Sequence, residues 1–417
     1  MESNVHCLSR QQQSGPTQGL QSGFLAKGQV KNGEGEPVVI GGMVLDINAT
    51  PSVPAKPRTT TPGNVLYALG GVARNVAECM SKLGAKPYMI SAVGLDMAGN
   101  LLLEQWKSAE LSTEGIQRNQ DIETAVVCNI FDGKGELAAA VASVGAIEKF
   151  VTPEWIWKFS YNLRSAPLLL VDANLSSPTL EAACQLAAES HTPVWFEPVS
   201  VVKSKRVASV AKYVSFASPN EDELIAMANA LSSRDVFSPI KREDAGIKLS
   251  VRALFQMLRP AIWVLLESGI KVVVVTLGSD GVFLCSKEKH DLNKLDLREK
   301  KHSFSQKLYE VVNSSCHHNW NVNVAKSKSR FYAVHFPALS ASVVRLNGAG
   351  DCLVGGTLAS LCAGLDVMQS VAVGIAAAKG AVESESNVPA KYCLTDIADD
   401  AKLVYAGARV VFCTSML

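Results

Sequence analysis

The sequence has no Cys-x-x-Cys pair, no surplus of either charge and no apolar run near the ~20 residues a membrane span needs. Each absence removes a class of function. Forty basic residues against thirty-nine acidic ones leave a net charge of +1. No bulk field is left to recruit a nucleic acid polymer or an anionic membrane. The ten cysteines are scattered without metal-ligand spacing and read as reduced thiols of an intracellular chain. Residues 1–36 lack hydrophobic periodicity and the apolar core of a secretory signal, and their basic residues are Arg10, Lys27 and Lys31. They are expected to be disordered. What remains is 417 residues, 47% hydrophobic and 19% charged, the make-up of a soluble globular protein with a substantial core.

From residue 37 onward, apolar strands alternate with helices. Residues 37–40 read as a strand ending in Gly41-Gly42, with Asp46 beyond. Gly70-Gly71 leads into a helix that closes near Gly84, 88–93 is the next strand, and the stretch from Gly94 to Gly99 opens another helix. Residues 124–131 and 136–141 flank Asp132-Gly133-Lys134-Gly135 and read as a β-hairpin that interrupts the rhythm. Strands follow at 168–171, 194–196 and 213–217, with helices at 180–188, 220–231 and 250–268. Val272-Val273-Val274-Val275-Thr276 has the composition of a central parallel strand buried on both faces. The pattern predicts an α/β fold: a doubly wound, mostly parallel sheet with helices on both faces and ligands at the carboxyl ends of its strands. Residues 286–330 are polar and hold His290, His302, His317 and His318. An exposed insertion is expected there rather than a metal site around Cys316.

The chemistry is concentrated in Arg345-Leu346-Asn347-Gly348-Ala349-Gly350-Asp351, just ahead of a small-residue helix over 351–361. Small residues bare the backbone, and the unpaired N–H groups of a helix start form an anion site beside a carboxylate. Phosphoryl transfer needs that pair: donors for the transferring phosphate and a base for the incoming hydroxyl. An Asp cap after a flexible glycine turn would give the same pattern.

Four segments in order resemble the ribokinase-like (PfkB) carbohydrate and nucleoside kinases, over roughly residues 37–390. They are Gly70-Gly71 with Asn75, Asn220-Glu221-Asp222-Glu223, Thr276-Leu277-Gly278-Ser279-Asp280-Gly281, and Asn347-Gly348-Ala349-Gly350-Asp351. The family usually has Thr where Asn347 stands, a departure that leaves the glycines and the acid intact. The resemblance implies that Asp351 takes the proton of a 5′-hydroxyl attacking the ATP γ-phosphate, while Gly348, Ala349 and Gly350 stabilise the transferring charge. It implies sugar binding by Asp46, Gly70, Gly71 and Asn75, with Thr124 and Asn174 as further contacts. Asn220, Thr276, Gly278, Gly281 and Asn347 fall on the nucleotide side, Glu223 serves Mg²⁺ through water, and Glu197 and Lys203 lie near the phosphates. ATP and Mg²⁺ are the implied cofactors, with a monovalent cation such as K⁺ in addition.

Within the family, Val194-Trp195-Phe196-Glu197-Pro198-Val199-Ser200, followed by Lys203, is most similar to the pseudouridine kinases. The implied substrate is pseudouridine. A ribokinase, adenosine kinase or other nucleoside or sugar kinase is the alternative. A regulatory member that binds without phosphorylating is the non-enzyme alternative, and the intact Asp351 and Asn220/Glu223 argue against it. The resemblance further implies a small β lid from segments near 44–60 and 122–142, and a homodimer through such a lid. The kinase domain is expected over 37–400, followed by a tail over 401–417. The tail ends in Ser415-Met416-Leu417, similar to the peroxisomal tripeptide. The expected location is the peroxisome, with the cytoplasm as the alternative.

Overall fold

The computed structural model describes residues 35–413 except 57, 133–136, 233–235, 241, 245–246, 289–290, 292–305 and 317–330. The four histidines of the 286–330 stretch and Ser415-Met416-Leu417 lie outside the described residues.

The strands in chain order are β1 Val38–Ile40, β2 Val44–Pro51, β3 Gly63–Gly70, β4 Tyr88–Gly94, β5 Ile116–Asn119, β6 Ala125–Phe131, β7 Leu137–Ser143 and β8 Leu169–Asp172. They continue with β9 Val194–Glu197, β10 Phe216–Ala217, β11 Glu243–Asp244, β12 Ile247–Lys248, β13 Val272–Thr276, β14 Val282–Ser286, β15 Tyr332–Phe336 and β16 Arg409–Cys413. One ten-stranded sheet runs in the order β16-β15-β14-β13-β10-β9-β8-β1-β4-β5. It is parallel from β13 to β5 and antiparallel from β13 to β16. A second, four-stranded sheet, β3-β2-β6-β7, forms the lid.

The period of two along each buried strand sorts its side chains between two cores. Val272 and Val274 point to the face carrying the Val72–Lys82, Ala349–Ala363 and Val367–Val382 helices. Val273 and Val275 point to the face carrying Ser177–Glu189, Glu221–Ser232 and Val251–Glu267. The sheet is therefore doubly wound and mostly parallel, as the strand–helix rhythm predicts.

The structure departs from the sequence reading in five places. β13 is buried on both faces but is parallel to β10 only; its other neighbour, β14, returns antiparallel through the tight turn at Gly278–Asp280. Strand β10 is confined to Phe216–Ala217, because Ala211–Tyr213 is wound into a 3-10 turn. The lid takes in β3, beyond the expected limit at residue 60. Residues 401–413 are not a tail: Leu394–Gly407 is a helix, and β16 completes the edge of the main sheet. The polar 286–330 stretch likewise contributes the Gln306–Ser315 helix, whose Leu308 and Val312 are buried together with Cys316.

Three helices beneath the site pack at backbone distance. A Cβ on Gly355 would lie 2.6 Å from the Cβ of Cys79 and 2.9 Å from the Val76 carbonyl oxygen. One on Gly374 would lie 2.2 Å from Thr357 Oγ1. Gly355 sets the separation between the helix bearing Asn75 and the helix bearing Asp351, and Gly374 that between the latter and the Val367–Val382 helix. Gly355→Val should destabilise the chain by about 1–3 kcal/mol or more through overpacking. A thermal melt checks this; an unchanged midpoint would show that the helices can separate without penalty.

Candidate active site

Gly348 has φ 80°, the left-handed turn that ends the preceding loop and starts the Ala349–Ala363 helix. A Cβ there would lie 2.1 Å from the Asn387 carbonyl oxygen, so the turn admits glycine alone. Gly350 faces open space. The first N–H groups of this helix lack intrahelical partners and sit at the positive end of the dipole. Asp351 stands in that first turn, and its Oδ2 accepts from Asn75 Nδ2 at 2.7 Å. Asn75 Oδ1 accepts from Arg74 Nη1 at 2.8 Å. The Arg74 side chain is buried; it also donates to the Leu69 carbonyl at 3.0 Å and pairs with Glu78, which is shared with Lys82.

Asp351 keeps part of its surface open while protein encloses most of it. That enclosure pushes its carboxyl up to about 6; the Asn75 hydrogen bond opposes the rise, the Asp172 and Asp46 charges add to it, and Arg74 opposes it. A carboxylate with that value is ionised at neutral pH and is a better proton acceptor than an ordinary aspartate.

On one side of Asp351 lies a seat with two more acids. Asp46, on β2, faces the end of β3: a Cβ on Gly70 would lie 2.2 Å from its Oδ2. That oxygen accepts from Asn387 Nδ2 at 3.2 Å, and burial raises the Asp46 carboxyl. Gly71, with φ 97°, begins the Val72–Lys82 helix, and a Cβ there would lie 2.4 Å from the Gly42 carbonyl oxygen. Asp172 ends β8 with no exposed surface. Its Oδ2 accepts from Gly42 N at 2.8 Å and Asn174 Nδ2 at 3.0 Å. Burial raises its carboxyl too. Asn174 Oδ1 accepts from Lys203 Nζ at 2.6 Å.

On the other side are the ends of β9, β10 and β13. Glu197 accepts from Ser218 Oγ, which accepts from Trp195 Nε1 at 2.7 Å. Burial lifts the Glu197 carboxyl well above its ordinary value; Ser218 opposes this and the Glu223 and Asp351 charges add to it. Val199 follows with φ 67°, and the Ser200 N–H donates to the Pro198 carbonyl at 2.7 Å. This γ-turn is rare for a β-branched residue and is the kind of local strain that collects at functional sites.

Asn220 and Glu223 form a reciprocal cap on the Glu221–Ser232 helix: each side chain accepts from the other's backbone N–H at 2.9 Å. Burial raises the Glu223 carboxyl. Thr276 N donates to the Pro219 carbonyl at 3.0 Å, which brings the Gly278 turn beside this cap. Gly278 has φ 61° and faces open space, whereas a Cβ on Gly281 would lie 2.0 Å from the Phe336 carbonyl oxygen. Arg242 fastens the turn, donating to Glu221 Oε2 and Asp280 Oδ2 at 2.7 Å each.

The structure therefore gathers Asp46, Gly70, Gly71, Asn75, Asn174, Glu197, Asn220, Glu223, Thr276 and the 348–351 turn along the carboxyl ends of the strands. Asn347 is exposed at the start of that turn. Three of the expected residues have partners within the chain. Thr124 is buried beneath the lid; its hydroxyl donates to Asp96 at 2.6 Å and accepts from Gly94 N at 2.8 Å, so it braces the Met97–Ser108 helix start. Asn75 commits its amide to Asp351 and Arg74 rather than presenting it whole to a sugar. Lys203 is bound to Asn174, on the Asp172 side. Sequence reasoning missed Arg74, Asp172 and Asn387. Asp172 had a signal, an acid closing a wholly apolar strand; Asn387 had none. Among the described residues no group of three or more His, Cys, Asp or Glu could hold a metal directly, and no helix is long and apolar enough to cross a membrane.

The same architecture occurs in solved kinases. A ribokinase of Arabidopsis thaliana complexed with ribose and ATP superposes with a TM-score of 0.64 at 16% identity, covering 88% of this chain and 99% of that one. A ribokinase of Cryptococcus neoformans in complex with ADP gives 0.62 at 19% identity, with the same coverage of 88% and 99%. In sequence, a pseudouridine kinase of Arabidopsis thaliana is 54% identical over 379 residues, 90% of this chain and 98% of its own length. A pseudouridine kinase of Escherichia coli is 26% identical over 247 residues, 59% of this chain and 71% of its own. The family model of the pfkB carbohydrate kinases matches residues 36–295. With the fold, the helix-borne Asp351 and these likenesses in agreement, the chain belongs to the pfkB family of carbohydrate kinases.

Proposed function

We propose that this chain is a pseudouridine kinase, transferring the γ-phosphate of ATP to the 5′-hydroxyl of pseudouridine. The observation that carries the substrate is the 54% identity along 90% of the chain to a protein of that name. In this reading Asp351 takes the hydroxyl proton as the oxygen attacks the γ-phosphorus, and ADP departs. The N–H groups of the 348–351 turn meet the charge on the transferring oxygens. Asp46 accepts both hydroxyls of the ribose, with Asn174 and Lys203 bounding the seat beside Asp172. Asn220, Thr276, Gly278 and Gly281 line the nucleotide side.

Mg²⁺ belongs to the reading. Glu223 Oε2 accepts from Asn220 N, so a single oxygen remains for a hydrated ion, and Glu197 lies within electrostatic range. Oxygen donors this sparse suit an ion that keeps most of its water and neutralises the nucleotide phosphates. A monovalent cation such as K⁺ is a further part of the reading.

Phosphate transfer should be assayed against pseudouridine, uridine, adenosine, ribose and fructose, with Asp351→Asn in parallel and with Mg²⁺ or K⁺ omitted in turn. Pseudouridine should be preferred, activity should require Mg²⁺ and respond to K⁺, and Asp351→Asn should lose roughly 10²–10⁴-fold. Preference for another acceptor would move the substrate; transfer without Mg²⁺ or indifference to K⁺ would remove that ion.

The pH profile follows from a base that must be ionised. With Asp351 raised to about 6, kcat/KM should fall about tenfold per unit as pH drops below that value. A profile flat down to pH 4 would remove Asp351 as the base.

The homodimer rests on the lid. β3 and β7 are its edges, and Val65, Leu66, Tyr67 and Val141 are exposed there, Tyr67 at 59%. Exposed apolar edges of this kind are surfaces that another chain covers. Light scattering should give twice the chain mass, and Tyr67→Lys should shift the protein toward monomer. A monomeric wild-type chain at micromolar concentration would overturn the lid dimer.

A further inference from the structure

We propose that Arg74 is a positioning residue for phosphoryl transfer: it fixes the Asn75 amide so that its N–H donates to Asp351, and it ties that carboxylate to the Asp46 seat through the Leu69 carbonyl. The inference rests on the kinase reading above and adds a residue to it.

The first argument is chemical direction. An amide can turn either its oxygen or its nitrogen toward a neighbour, whereas guanidinium offers donors alone. Arg74 Nη1 donates to Asn75 Oδ1 at 2.8 Å, which leaves Nδ2 to face Asp351 at 2.7 Å. In that orientation Asn75 favours the ionised carboxylate, the form a base requires. Without Arg74 the amide is at liberty to flip.

The second argument is continuity. The Leu69 carbonyl accepts from Arg74 Nη1 and from Asn387 Nδ2, both at 3.0 Å. Asn387 Nδ2 also donates to Asp46 Oδ2 at 3.2 Å. The path Asp351–Asn75–Arg74–Leu69–Asn387–Asp46 is thus unbroken from the base to the sugar seat. Arg74, Asn75 and Asn387 are 3%, 4% and 5% exposed, so water offers them little competition.

The third argument is charge. Asp351 is faced by Asp46 from β2, Asp172 from β8 and Glu197 from β9, with the Cys352 thiol beside it on its own helix. Arg74 counters them at Asp351, while Arg345 acts with it on Asp46 and Lys203 acts on Asp172. Its partner Glu78 also accepts from Lys82 Nζ at 2.6 Å, so replacing Arg74 does not leave Glu78 bare.

The test is steady-state kinetics over pH on the full chain, comparing wild type, Asp351→Asn, Arg74→Met and Arg74→Lys with pseudouridine and ATP. Arg74→Met should lower kcat roughly 10–100-fold, as loss of an outer partner of a working group does. It should leave the KM for ATP unchanged and move the acid limb to higher pH, because removing the cation makes Asp351 easier to protonate. Arg74→Lys should keep the limb in place, since the charge remains. It should still depress kcat, since a single ammonium nitrogen cannot hold Asn75 and Leu69 while a second nitrogen holds Glu78, as Nη1 and Nη2 of the guanidinium do. If Arg74→Met does not fold, the lysine variant decides: wild-type kcat in Arg74→Lys overturns the proposal. A methionine variant with wild-type kcat and limb overturns it as well. Both results leave the kinase reading standing if wild type is active and Asp351→Asn is not. An Asp351→Asn chain as active as wild type would overturn the base assignment, and this inference with it.

Discussion

A single hydrogen bond, from Asn75 Nδ2 to Asp351 Oδ2, joins residues 276 positions apart and defines where the two halves of the chain must meet. Other features of the site serve that meeting. Gly355 lets the helix bearing Asp351 approach the helix bearing Asn75 at backbone distance. Gly71 and Gly348, each at a positive φ, start those helices where their first residues face each other. The parallel half of the sheet brings Asp172 and Glu197 to the same end, because parallel strands finish on one edge.

The electrostatics at that edge are costly. Asp46, Asp172, Glu197, Glu223 and Asp351 are all raised from their ordinary values, in each case mainly by burial. A carboxyl whose folded value lies above its unfolded one favours the fold while protonated and opposes it once ionised. The ionised site therefore works against stability at neutral pH, and the cost rises through the window above each ordinary value. Arg74 offsets part of it for Asp46 and Asp351, and backbone N–H groups do so for Asp172. Such tension is expected where a surface is shaped to meet cationic or neutralised ligands rather than for the fold itself.

Much of this was legible in the sequence where the local rule and the tertiary outcome agree. Val272 to Val275 announce a buried strand because β-branched apolar residues have no better place, and Gly348 to Asp351 announce an anion-binding turn because bare backbone and a helix start lie together. What stayed hidden depends on distant partners. Arg74 and Glu78 look like an ordinary surface pair at i, i+4, yet Arg74 is buried. Asn387 sits in a serine-rich loop with no local pattern, and its meaning lies in Asp46, 341 residues earlier. Thr124 stands just ahead of a lid strand that was legible, while the partner of its hydroxyl, Asp96, was not. Leu308, Val312 and Cys316 follow a helical period that the polar flanks conceal. The substrate-side charges were easier to place by residue type than by partner, as Lys203 shows.

The separation between Asn75 and Asp351 also orders events during synthesis. At roughly 5–20 residues per second, the acid leaves the ribosome about 15–55 s after the amide that will hold it. During that interval the lid hairpin of β2 and β3, paired from Val44 and Gly70 to Pro51 and Gly63, needs partners from its own neighbourhood alone. Arg74 can meanwhile rest on Glu78, one helical turn away. Glu78 is thus at hand for the guanidinium before Asp351 is made, and the junction with Asp351 cannot close earlier than that. Enzymatic competence then marks the completion of the whole chain rather than of any one part of it.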